Sequence, residues 1–109
     1  MENIKVYNKL VRDKIPEIID IDYKICDFEM IDGRRKFRLL QKKLQEEVNE
    51  FLADNRNIDE LADIMEVVFA IADILGVSEE ELLKVRTEKR EKRGGFEQGI
   101  FLKTVKERK

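Results

Sequence analysis

Acidic residues recur at three-residue spacing in two neighbouring stretches, "EEVNE" (Glu46 to Glu50) and "ELAD" (Glu60 to Asp63). Carboxylates at that spacing are neighbours on a helix surface. Several of them gathered at one partly buried point repel, so protons or a cation must neutralise them. The chain contains no His and one Cys, Cys26. This removes the Glu-x-x-His pairs of di-iron helical bundles and the donors that zinc usually takes. An all-oxygen donor set suits Mg²⁺ or Mn²⁺, and Mg²⁺ bridges readily to phosphate oxygens.

Helical geometry, at about 100° per residue, sorts the acids by direction. Phe37, Leu40, Leu44, Val48 and Phe51 share one arc of a first long helix. Glu47 falls at the rim of that arc, Glu50 a step further out, and Glu46 nearly opposite the core. On the next helix Glu60 lies inside the apolar arc between Val67 and Ile71, and Asp63 lies at its edge beyond Ile74. Asp59 and Glu66 fall on the polar side. If the helices pack antiparallel across "DNRN" (54–57), Glu50 and Glu60 lie near the turn, with Glu47 and Asp63 one turn deeper. Glu47, Glu50, Glu60 and Asp63 are therefore the candidate metal ligands. The plain alternative is exposed acids paired with Lys42, Lys43 or Arg56. Glu60 weighs against it, because a lone ion-pairing residue rarely faces a core.

The elements that must carry these acids are all helical. Pro16 fits the first turn of a short helix over Ile15 to Ile21. "YKICDFEMIDG" (23–33), with partial apolar alternation, reads as an extended connector or a short strand. Asp32 is a candidate cap for a helix from about Arg34 to Ala53, and a second helix runs from about Ile58 to Leu75 with Gly76 as its terminator. Ser78 and Glu81 form a capping box for a third, from about Glu79 to Arg93, which Gly94 and Gly95 end. Phe96, Ile100, Phe101 and Leu102 are expected to dock on the body. The predicted fold is an all-α bundle of three main helices and a short N-terminal one, in a single domain.

Composition agrees. Of 109 residues, 42% are hydrophobic and 42% charged, with one Pro and five Gly, a helix-rich profile. The net charge of −2 gives no nucleic-acid signature. Charge is nonetheless segregated: Glu46 to Glu66 holds eight acids and one base, whereas Lys84 to Arg93 holds six bases and two acids. Such a pair of stretches suits a metal cation and the phosphates it neutralises, or two solvated helix faces that pair with each other. Cys26 cannot form an intrachain disulfide, and no apolar run approaches the roughly 20 residues of a membrane span. A cytoplasmic protein that does not span a membrane is expected.

The two acidic stretches together resemble the E-E-x-x-E … E-x-x-D signature of the all-α NTP pyrophosphatases, the MazG-like and phosphoribosyl-ATP-pyrophosphohydrolase-like superfamily. "YNKLVRDKIPEII" (7–19) and "KREKRGGFEQGIFL" (89–102) resemble the opening and ending of a small single-domain branch. The resemblance spans most of the chain, leaving the segment between Ile21 and Arg34 without a counterpart. It implies a Mg²⁺-dependent hydrolase that cuts a nucleoside triphosphate between its α and β phosphates. It implies the same four ligands, with Glu46 as an outer-shell or water-orienting group, and a homodimer or dimer of dimers whose helices complete a four-helix core. Within such a site Glu46 and Glu47 are the candidate bases. Lys89, Lys92 and Arg93, with Lys9, Arg12 and Lys14, are candidates for the phosphates, and Asn8 for base or ribose. Helix stops and structural ion pairs explain the same residues without a substrate. A non-catalytic dimeric helical module and a phosphoribosyl-ATP hydrolase of histidine synthesis are the competing functions.

Overall fold

The computed structural model describes residues 3–109. Among them are four helices and no strand: α1 (Ile15–Ile21), α2 (Gly33–Ala53), α3 (Ile58–Ile74) and α4 (Glu79–Arg93). The all-α expectation holds. Residues 24–32 form no regular element, so the short-strand alternative for that stretch is corrected. Its apolar residues Ile25, Phe28 and Met30 are exposed and have no neighbouring strand to pair with.

Helix ends follow from local chemistry. Asn57 caps α3, its side-chain oxygen accepting from the Asp59 N–H at 2.9 Å. Ser78 caps α4, accepting from the Glu81 N–H at 3.1 Å. Gly76, at φ +77°, closes α3: its N–H donates to Asp73 O at 3.0 Å, and the Val77 N–H reaches Ala72 O at 2.9 Å. That double bond pattern needs a left-handed residue, which glycine supplies without strain. Asp32 occupies the N-cap of α2, but its side chain makes no cap hydrogen bond, contrary to expectation.

The four-residue turn 54–57 folds α3 back along α2, and this pair holds the centre of the molecule. Leu40, Val67 and Ala72 are buried. Phe37, Leu44, Val48 and Phe51 of α2 and Ile64, Val68 and Ile71 of α3 are half-buried around them. α4 packs more lightly on α3, and α1 packs against no other helix. The radius of gyration is 19.5 Å and the longest extent 77 Å, against about 13 Å for a compact chain of this length. The expected docking of the C-terminal segment is overturned. Phe96, Ile100, Phe101 and Leu102 are 72–98% exposed, because the segment leaves α4 without returning to the body.

Candidate metal centre

The α2–α3 pairing brings Glu47, Glu60 and Asp63 together. One carboxylate oxygen from each lies within 4.8 Å of the others. Glu47 is the only buried charged residue among those described, 6% exposed, and so sits deeper than the rim position expected from its angle. The reason is tertiary: α3 closes over the edge of the α2 arc. Glu60 and Asp63 are half-buried, and Asp59 and Glu66 are exposed, as their angles on α3 require.

The electrostatics of this cluster are unresolved by the chain's own donors. Glu47 Oε2 and Glu60 Oε2 are both buried and have no hydrogen-bond partner. Glu47 Oε1 lies 3.3 Å from Lys43 Nζ, which also lies 3.8 Å from Glu46 Oε2. Burial raises the Glu47 carboxyl above its ordinary 4.5; Lys43 opposes the shift and the neighbouring Glu50 adds to it. An unpartnered buried carboxylate oxygen carries a cost that only a proton, a donor or a cation removes. Two such oxygens beside a third carboxylate form an oxygen-only cage, and this donor chemistry fits a hard divalent cation.

The other expected site residues divide. Glu50 is exposed but stands beside Glu47. Glu46, nearly opposite the core by angle, is half-buried, and its Oε2 lies near the Lys43 Nζ that also meets Glu47. Arg12 reaches the cluster: its Nη2 donates to Asp63 Oδ1 at 2.6 Å, joining the N-terminal segment to α3 across 51 positions. Lys9 Nζ lies 5.8 Å from the centre of the Tyr7 ring, Asn8 takes a left-handed φ of +45°, and Lys14 precedes α1. Lys89, Lys92 and Arg93 are exposed on the last turns of α4, and no ion pair joins them to the acids among the described residues.

Lys43 is the neighbour that angles on a single helix underrate. Its three- and four-residue spacing to Glu46 and Glu47 is visible in the chain, but its importance depends on the burial of Glu47. Among the described residues, no helix is long and apolar enough to cross a membrane. No family model, curated protein or solved structure matches the chain.

Proposed function

We propose that the protein is a Mg²⁺-dependent nucleoside triphosphate pyrophosphohydrolase that consumes one water across the α–β phosphoanhydride, giving a nucleoside monophosphate and pyrophosphate. The observation that carries this is the pair of buried, partnerless oxygens of Glu47 and Glu60 within a three-carboxylate cluster. The resemblance of the acidic, N-terminal and C-terminal motifs to the all-α NTP pyrophosphatases supplies the substrate class, with house-cleaning of non-standard or surplus nucleotides as the role.

Glu47, Glu60 and Asp63 would hold the cation, with Glu50 beside them. Bound there, Mg²⁺ supplies charge neutralisation at phosphate oxygens and acidifies a coordinated water. Glu46 accepts the proton of the attacking water, since Glu47 is committed to the cation. Arg12 exchanges Asp63 for a phosphate oxygen when substrate arrives, and Lys9 and Lys14 extend the same positive rim. Asn8 meets the base or ribose. Lys89, Lys92 and Arg93 serve the phosphates only if assembly brings them to an acid cluster. The working form is a homodimer or dimer of dimers in the cytoplasm, a state favoured by the open shape and thin core of the lone chain.

Pyrophosphate release from a panel of nucleotides, phosphoribosyl-ATP included, with and without Mg²⁺, tests this. Glu50→Ala and Asp63→Ala should each abolish metal-dependent turnover while keeping the helical circular dichroism. Full activity in either variant would overturn the ligand assignment. If no nucleotide releases pyrophosphate, the non-catalytic helical module takes its place.

A further inference from the structure

α4 has two unlike halves. Its first half supplies Leu82, Leu83 and Val85; from Arg86 to Arg93 it carries no apolar residue. Between α3 and the first half lies an apolar groove of about 290 Å³, lined by Met65, Val68 and Phe69 of α3 and Leu82, Leu83 and Arg86 of α4. The exposed acids Asp73, Glu79, Glu80 and Glu81 flank the Gly76 turn along the chain.

The chain after α4 has the complementary pattern. Phe96, Ile100, Phe101, Leu102 and Val105 are exposed, and they are interleaved with and followed by Lys103, Lys106, Arg108 and Lys109. The root of this segment carries one exposed ion pair and one local turn. Arg90 pairs with Glu97, which holds the Glu97 carboxyl below its ordinary value, and the Gly99 N–H donates to Phe96 O at 3.1 Å. The polar second half of α4 carries that root about 10 Å past Arg86. In the lone chain this apolar segment stays exposed and does not line the groove.

We propose that residues 96–109 form an arm that lies in the α3/α4 groove of a second copy of this chain, with the exchange reciprocal. The apolar side chains enter along Met65, Val68 and Phe69, and the basic residues reach the acids at the Gly76 turn. Exposed side chains of this size bury on the order of 150 Å² each. Two arms then bury on the order of 1,500 Å², within the range of specific interfaces. These acids and the bases of the arm fix the direction of docking.

The test uses the full chain in a Cys26→Ser background. ¹⁵N-labelled Met65→Cys protein and unlabelled Leu102→Cys protein are mixed, oxidised gently and digested. The expected product is a disulfide-linked peptide pair joining position 65 of the labelled chain to position 102 of the unlabelled one. No such pair on mixing, or an internal 65–102 disulfide in the doubly substituted monomer, overturns the exchange. Combining Phe101→Asp with Leu102→Asp, at positions already exposed, should halve the light-scattering mass and leave the helical signal intact. An unchanged mass overturns it too. Neither readout involves the acid cluster or turnover.

Discussion

Glu47→Gln is expected to make the metal-free protein more stable while destroying its response to cations. The substitution keeps the shape of a side chain that is 6% exposed and removes the charge from an Oε2 with no partner. Leaving a polar group buried and unsatisfied costs about 1–3 kcal/mol, and more when it is charged. The opposing loss is limited because Lys43, at 3.3 Å, keeps an amide oxygen to donate to and loses only the charge assistance of the bond, about 1 kcal/mol. The amide also brings a donor to the neighbouring acids. The net gain is about 1 kcal/mol, which for a chain of this size raises Tm by roughly 4–8 °C.

Cation binding reverses the order. At 100 times its dissociation constant, Mn²⁺ adds about 2.7 kcal/mol to a protein that binds it only when folded. The native chain should therefore overtake the variant on titration, while the variant stays where it began. Thermal unfolding followed by circular dichroism, at fixed protein concentration and pH 7.5, in EDTA and then in rising Mn²⁺, reads both effects. A variant less stable than the native chain in EDTA would refute the claim that this carboxylate is unsatisfied. An undiminished Mn²⁺ shift in the variant would remove Glu47 from the cation site.

Burial raises the Glu47 carboxyl above 4.5, with Lys43 opposing and Glu50 reinforcing, so between 4.5 and the raised value the folded chain binds more protons than the unfolded one. Metal-free stability relative to Glu47→Gln must then fall as pH rises through that interval, which urea denaturation across a pH series checks. Arg12→Gln frees Asp63 from a 2.6 Å ion pair; at about 0.5–1 kcal/mol for an exposed pair, Mn²⁺ should bind roughly two- to fivefold tighter by calorimetry, while KM for the nucleotide rises. Asn57→Ala removes the α3 cap and should cost about 1 kcal/mol, whereas Asp32→Ala, at a cap position without a side-chain bond, should change urea stability little.

What could be read from the chain was whatever a single helix decides for itself. The direction of Glu60, the boundaries of α1 and α4, and the caps at Ser78 and Gly76 depend on neighbours within a few residues. Contacts between distant segments are of another kind. The depth of Glu47 needed α3 to close over it, and the Arg12–Asp63 pair reaches from a segment without regular structure to a helix 51 positions away. The C-terminal segment shows the limit most clearly: its hydrophobicity states that Phe101 and Leu102 need cover, but not which chain provides it. The lone chain thus leaves two needs unmet, and they differ in physics. Buried oxygens without donors need charge, whereas an exposed apolar arm needs area. A chelator should therefore strip the cation without changing the assembly mass. Aspartates in the arm should halve the mass without changing the Mn²⁺ affinity of each chain. Coupling between the two responses would mean that the acid cluster and the arm belong to one shared interface.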